Sequence, residues 1–166
     1  MIARYIAVGL LASLVSFSAQ AQRSLDSLVS EAGAEWMFGQ WQAQTDNGDA
    51  VTLNISWDLD KKVTVLHVKT PDMESKGYTV IEPKAEMPKY YSFDNKGSVG
   101  KGGWAMEGSE LVLRVESESA NSGPRKMGFI FSGSASEGLK ITMHTIGSSG
   151  DLETPARMTL KFKKQK

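Results

Sequence analysis

Hydrophobic and polar residues alternate along most of the chain with a period of two. The clearest segment covers residues 50–59, where Val51, Leu53, Ile55, Trp57 and Leu59 share one face and polar residues occupy most of the other. Successive side chains of a β-strand point to opposite faces of the sheet. The alternation therefore predicts a strand that is buried on one face and solvated on the other.

Similar short runs recur after it, separated by Gly, Asn, Asp, Ser and Pro roughly every ten residues. Because the connections are short and contain no crossover helix, neighbouring strands must pair antiparallel, and a barrel leaves no open edge. We therefore predict an all-β fold, an antiparallel up-and-down barrel of about ten strands, with a two-sheet sandwich as the alternative. The predicted strands cover residues 36–44, 50–59, 62–70, 78–81, 89–93, 102–107, 110–118, 127–132, 139–146 and 156–163.

Two segments before the strands have a different pattern. Leu25, Leu28 and Val29 are spaced as on a helix that begins near Ser24 and ends before Gly33, so a short N-terminal helix is expected. Residues 1–21 combine an early Arg, an apolar stretch and a small-residue cleavage site, which is typical of a secretory signal peptide. We expect cleavage after Ala21, a periplasmic or secreted location, and a single barrel domain over residues 22–166.

Composition excludes several classes of function. The chain contains no Cys, so it forms no disulfide or thiolate metal site, and its 19 basic and 19 acidic residues balance. A balanced, scattered charge provides no electrostatic reason to bind nucleic acid. Membrane insertion is not expected either, because polar residues such as Thr52 and Asn54 would face lipid in a membrane barrel. The oligomeric state is left open.

The triplet Gly39-Gln40-Trp41, directly after the predicted helix, resembles the G-x-W signature of the calycins, the group of lipocalins and fatty-acid-binding proteins. The resemblance implies a lipocalin-like barrel in which Trp41 closes one end. It also implies that a basic residue of the last strand packs across the Trp ring, and Arg157 is the matching candidate. The chain has no T-D-Y element of the lipocalin kind.

Fatty-acid-binding proteins also hold a ligand carboxylate with an Arg-x-Tyr pair in the last strand. This chain has Arg157-Met158-Thr159 there, with Met158 on the apolar side, so Arg157 is expected to point outward. We therefore expect that a ligand is not held as a carboxylate by an internal Arg.

Aromatic and Met side chains on the apolar faces are candidates for a flexible ligand cavity, although the same residues could simply fill a core. Barrels of this size do either, and the sequence does not determine the free volume. The candidate lining residues are Trp57, His67, Tyr91, Trp104, Met106, Phe129, Phe131 and Met143.

Neither His provides a clear catalytic or metal site. His67 shares its parity with Val63 and Val65, but Leu66 and Val68 favour the opposite face, so its orientation is open. His144 alternates with Ile141 and Met143 and is expected to face outward, although it is the position to compare with the haem ligand of nitrobindin-type barrels. No His spacing typical of metal sites occurs, so no catalytic residue, metal or cofactor is assigned.

The Gly-rich stretch at residues 97–103 lacks the Ser or Thr and the following helix of a phosphate loop, so a hairpin and close backbone approach are expected there. The leading hypothesis is an exported module that binds a small hydrophobic or amphiphilic ligand in its lumen. The alternatives are a filled barrel with a structural or protein-interaction role, and an enzyme using His67 or a loop acid.

Overall fold

Two short helical elements precede the strands in the part of the chain that the structure describes. The computed structural model describes residues 23–83, 85, 87–120 and 122–165, so the predicted signal peptide lies outside the described residues. Helix α1 covers Leu25–Glu31 after an N-cap at Ser24, and a 3₁₀ turn follows at Glu35–Met37. Gly33 has a φ of +60°, which suits the chain reversal after the helix. The predicted short helix is confirmed.

Ten antiparallel strands form a closed barrel in which each strand pairs with its sequence neighbours and β1 pairs with β10. This confirms the predicted up-and-down barrel, and closure excludes the sandwich alternative. The strands are β1 Gly39–Gln44, β2 Ala50–Asp58, β3 Val63–Lys69, β4 Glu74–Val80, β5 Lys89–Asp94, β6 Val99–Glu107, β7 Glu110–Ser119, β8 Ser122–Ser134, β9 Gly138–Thr145 and β10 Met158–Lys164.

The two ends of the barrel differ in what covers them. At the helix end, β1 begins at Gly39 and β10 ends at Lys164, and α1 packs over the lumen. At the opposite end, which we call the mouth, β1 ends at Gln44 and β10 begins at Met158. Because neighbouring strands are antiparallel, every strand runs between these two ends.

The core lies on the inner face of the barrel. Trp41, Leu53 and Leu139 are almost completely buried, and directly opposed residues such as Trp41 and Leu53 share that face. The alternation predicted for residues 50–59 holds through Trp57 but fails at Leu59. Leu59 lies in the β2–β3 turn with a φ of +46° and is 68% exposed, so its assignment to the core face was wrong.

The long connection between β9 and β10 folds back along the outer wall. Ile146 and Leu152 of this loop pair across it, and Leu152 contacts β8 at Gly128, where an added Cβ would lie 2.1 Å from the Leu152 Cδ2 atom. The loop therefore covers outward-facing positions of β8 and β9 instead of the mouth.

Candidate functional site

The mouth-side part of the barrel lumen contains a cavity of about 410 Å³. One wall of this cavity is entirely apolar, because β2, β3, β9 and β10 contribute branched and aromatic side chains to the inner face. This apolar wall consists of Val51, Leu53, Val68, Ile141, Leu160 and Phe162.

Aromatic side chains form the floor of the cavity. The Tyr90 and Trp104 rings meet edge to face with centroids 6.4 Å apart, and the Trp104 and Phe131 centroids are 5.0 Å apart. Trp104 Nε1 donates a hydrogen bond of 2.9 Å to the Thr79 hydroxyl, which satisfies the polar atom of the indole. Tyr90 and Phe131 face the cavity, whereas Trp104 faces the helix end.

Glycine at two inward positions makes room for this floor and for the wall above it. A Cβ at Gly77 would lie 2.0 Å from the Tyr90 hydroxyl oxygen, and one at Gly100 would lie 2.3 Å from the Ser92 Oγ atom. Tyr90 is buried, and burial raises the pKa of its phenol to about 12, while a hydrogen bond with Ser92 opposes the rise. The Tyr90 side chain is therefore a neutral polar group at the base of the cavity at ordinary pH.

Below the floor, a second pocket of about 90 Å³ lies between α1 and the barrel. It is almost wholly apolar and is lined on the helix side by Leu25, Leu28 and Val29. Its volume is far smaller than that of the mouth-side cavity, so the lumen is nearly filled toward the helix end and open toward the mouth.

Polar residues of the cavity are concentrated on the side formed by β4 to β8. Six inward residues, one on each strand from β3 to β8, lie side by side in the strand register and form a continuous row. The row begins with an apolar residue on β3, continues through small residues and ends with a charged residue on β8. The row consists of Leu66, Gly77, Ser92, Gly100, Ser117 and Arg125.

Charged side chains line the mouth of the cavity. Asp94, Glu118 and Arg125 all border it, and Glu118 and Arg125 are exposed. Partial burial acts to raise the pKa of Asp94, but hydrogen bonds from Ser98 and from the Lys96 backbone outweigh it and lower the pKa below its ordinary value. Asp94 is thus ionised. Its carboxylate stabilises the turn that follows β5 by accepting hydrogen bonds of 2.9 Å from Lys96 N and 2.8 Å from Ser98 N.

At the closed helix end, Trp41 is 1% exposed and its Nε1 donates a 2.7 Å hydrogen bond to the Met37 carbonyl. The Lys164 ammonium lies 5.2 Å from the Trp41 ring centroid and donates to the Trp36 carbonyl at 3.3 Å. Gly39 makes this possible, because its φ is +128° and a Cβ there would lie 2.9 Å from Lys164 Cε.

The basic residue across Trp41 is therefore Lys164, and the assignment to Arg157 was wrong. Arg157 is exposed and precedes β10 at the mouth, where its backbone N–H donates to the Met143 carbonyl at 2.8 Å. Seven residues of strand separate Arg157 from Lys164, which corresponds to roughly 23 Å. The expectation that Arg157 does not reach into the lumen agrees with this position.

Of the predicted lining residues, Phe129 and Phe131 line the cavity, whereas Trp104 packs beneath Tyr90 and Phe131 and lines the smaller pocket at the helix end. Met143 is opposite Phe129 in register but is not among the described residues that line the cavity. Met106 is 48% exposed near the helix end, so its predicted lumen position was wrong.

Trp57 also lies outside the cavity. Its ring stacks on Phe38 with centroids 4.7 Å apart, beside α1 at the helix end. The alternation of β2 was correct here, but the strand has already left the lumen at this residue, so the placement of Trp57 in the cavity was wrong.

His67 and Tyr91 lie on the outer face, so their predicted lumen positions were wrong. Leu66 and Val68 face the lumen on either side of His67, whose Nε2 donates to Glu74 Oε1 at 2.7 Å. Tyr91 follows the inward Tyr90, and its hydroxyl donates to Glu82. Glu74 also contacts Lys69 Nζ at 3.2 Å, so the surroundings of His67 are an ordinary surface ion-pair cluster.

His144 faces outward as expected, yet it is only 7% exposed because the β9–β10 loop covers it. Its Nδ1 donates to the Glu153 carbonyl at 2.9 Å, and its Nε2 lies 3.1 Å from the Thr142 hydroxyl. Both ring nitrogens therefore have partners within the protein. Among the described residues, no group of three or more His, Asp or Glu side chains is arranged to hold a metal ion.

The sequence interpretation missed Arg125 and Ser117, although a signal for Arg125 was present. Arg125 has the same parity as Met127, Phe129 and Phe131, so extending the predicted strand by two residues places it on the inner face. An Arg in an inward position is therefore present at the mouth, in addition to the outward Arg157 that the sequence interpretation considered.

These features define a class of protein by structure: a closed ten-stranded antiparallel barrel with a cavity that is apolar on one wall and carries both polar and apolar residues on the other. No protein-family model matches the chain, and no curated protein sequence matches it. Within the part of the chain that the structure describes, no helix is long and apolar enough to cross a membrane.

Proposed function

We propose that this protein is an exported, calycin-like binding module that holds one small hydrophobic or amphiphilic molecule in its lumen. The observation that carries the proposal is the mouth-side cavity of about 410 Å³ with its apolar wall. Ligand pockets in proteins typically have volumes of about 300 to 1,000 Å³ and predominantly apolar walls. The alternative, a structural barrel whose interior is filled with side chains, does not account for a cavity of this volume.

The energetics of the cavity support an apolar ligand. Residues such as Leu53, Leu160 and Phe162 provide no hydrogen bonds to water, so water in contact with this wall is poorly satisfied. An amphiphile that covers the wall gains about 25 cal/mol for each Å² of apolar surface removed from water. Its binding therefore needs no charged partner deep in the barrel.

Two further features support the calycin-like and exported parts of the proposal. Trp41 occupies the closed end beneath a cation from the last strand, as the G-x-W resemblance implies, with Lys164 in the role expected of Arg157. The secretory pattern of residues 1–21 supports export into the periplasm or the medium.

Binding in the lumen is tested with a neutral fluorescent probe, N-phenylnaphthylamine, and a matched pair of variants. Leu160 lines the apolar wall, whereas Thr159 beside it is exposed on the outer face. We expect one probe per chain, and Leu160→Trp should weaken binding about tenfold, because displacing about 60 Å² of ligand contact is worth about 1.4 kcal/mol. Thr159→Trp should leave binding unchanged.

Circular dichroism of both variants establishes that each is folded, and native mass spectrometry of the isolated protein detects any ligand that is retained. If the folded wild type takes up no probe, or both variants bind it equally well, lumen binding is refuted.

A further inference from the structure

The cavity has two chemically different sides, and the difference follows the strands. Within the cavity, the wall formed by β2, β3, β9 and β10 is lined only by apolar residues, whereas β4 to β8 carry the row that includes Ser92, Ser117 and Arg125. A ligand that fills this cavity therefore meets only apolar surface on one side and a mixture of apolar side chains and hydroxyl groups on the other. That arrangement suits an amphiphile with its polar head toward the mouth.

The mouth carries one basic and one acidic side chain, Arg125 and Glu118, that do not pair with each other. Arg125 lines the cavity opposite Ser117 in register. Glu118 follows Ser117 on β7, where the β7–β8 register shifts between Ser117 and Ser119, and it borders the cavity at its rim. Neither Arg125 nor Glu118 forms an ion pair with another described residue. Both side chains are therefore available to a ligand.

Asp94 adds a second negative charge on the β5 side of the mouth, although its carboxylate already accepts bonds from Lys96 and Ser98. A head group with only a negative charge would be attracted by Arg125 and repelled by Asp94 and Glu118. A head group with only a positive charge would be attracted by Asp94 and Glu118 and repelled by Arg125. A head group that carries both charges can pair with each side chain.

We propose that the ligand is a single-chain amphiphile with a zwitterionic head group, whose anionic part pairs with Arg125 and whose cationic part pairs with Glu118. The hydrocarbon chain lies against the apolar wall, and Ser92 and Ser117 face the region where chain and head group join. This inference rests on the proposed lumen binding and specifies the chemistry of that same site.

The test compares four amphiphiles with the same dodecyl chain length: dodecylphosphocholine, dodecanoate, dodecylamine and monododecanoylglycerol. Each is titrated below its critical micelle concentration against the wild-type chain loaded with N-phenylnaphthylamine, and the displacement constants are compared. We expect dodecylphosphocholine to displace the probe at about two- to fivefold lower concentration than the singly charged amphiphiles, as partly exposed charge pairs permit.

Charge-removing variants assign the head-group contacts. Arg125→Gln and Glu118→Gln should each weaken dodecylphosphocholine binding about two- to fivefold. Glu118→Gln should also improve dodecanoate binding, and Arg125→Gln should improve dodecylamine binding. The matched controls are Lys126→Gln and Glu116→Gln, a cross-strand pair on the outer face of the same strands, and they should change none of the constants.

The outcomes separate this inference from the proposed function. If no amphiphile and no probe binds, lumen binding fails and the head-group assignment fails with it. If all four amphiphiles bind equally well in wild type and variants, lumen binding stands and the zwitterionic assignment is refuted. A preference for dodecanoate that Arg125→Gln removes would indicate an anionic ligand, and a preference for monododecanoylglycerol would indicate an uncharged one; either result overturns the proposal.

Discussion

The helix end and the mouth of this barrel are built from the same ten strands, yet one is filled and the other is open. The difference arises along individual strands. On β6 the inward positions change from Gly100 at the mouth side to Trp104 at the helix side, and on β5 they change from Ser92 to Tyr90. The free volume of a barrel therefore depends on how side-chain size is graded along each strand as well as on strand number.

The two ends also manage polar atoms differently. Near the helix end, the indole nitrogens of Trp41 and Trp104 donate to Met37 and Thr79, so these buried donors are satisfied internally. At the mouth, Arg125 and Glu118 have no ion-pair partner among the described residues. Satisfied groups contribute to stability, whereas unpaired exposed groups remain available for binding, so we expect mutations at the two ends to affect different measurements.

The largest expected effect is on stability at the helix end. Trp41→Ala should lower the free energy of unfolding by about 3 to 5 kcal/mol, because it removes a buried ring and a hydrogen bond from a packed region. Phe129→Ala should cost clearly less, since the Phe129 side chain borders the existing cavity and is only partly buried. Urea denaturation of both variants measures the difference. Equal costs would show that the two ends are packed alike.

The second effect concerns Tyr90, which lies at the boundary between the two regions. Burial raises its pKa to about 12 from an ordinary value of 10.0, so the folded state favours the protonated phenol. This contribution is fully present below pH 10 and is lost as the pH rises from 10 to 12, with a limit of roughly 2.7 kcal/mol for two pH units.

Because Phe does not ionise, the Tyr90→Phe variant should lose less stability than the wild type as the pH rises above 10. The measurement is the denaturation midpoint of wild type and variant at several pH values between 9 and about 12. If the two midpoints fall in parallel over this range, Tyr90 is not protected from solvent and the floor of the cavity is more open than its packing indicates.

The fold could be predicted largely from the sequence. The strands follow from the alternation of hydrophobic and polar residues, and the helix follows from the spacing of Leu25, Leu28 and Val29. Strand boundaries were less accurate where inward residues have no large side chain. Strand β6 begins at Val99, three residues before its predicted start, because Gly100 and Gly102 occupy inward positions without an apolar signal. The glycines of this stretch had indicated a close approach of the backbone, and the structure shows one. A Cβ added at Gly102 would lie only 1.9 Å from the Arg114 carbonyl oxygen.

The site was harder to predict because it depends on which strand face is inward and where each strand leaves the lumen. Strand β3 carries apolar residues on both faces, so the orientation of His67 followed only from the pairing of Ile55 with Leu66. Trp57 and Met106 have the inward parity but lie too near the helix end to reach the cavity. Parity would have placed Arg125 on the inner face, but the predicted strand began at residue 127, whereas β8 begins at Ser122.

The smallest expected effect distinguishes the two basic residues at the ends of β10. Lys164→Met keeps most of the side-chain stem but removes the ammonium over Trp41 and its hydrogen bond to the Trp36 carbonyl. A cation–π contact at an exposed site contributes about 0.5 to 1 kcal/mol, so the free energy of unfolding should fall by about that amount. Lys164→Arg should retain most of it. Arg157→Met, at the mouth, should leave stability unchanged because Arg157 is exposed and lies roughly 23 Å from Lys164 along the strand. The measurement is the urea denaturation midpoint of all three variants at low and high salt. If Arg157→Met loses stability and Lys164→Met does not, the cation that packs on Trp41 is Arg157 and not Lys164.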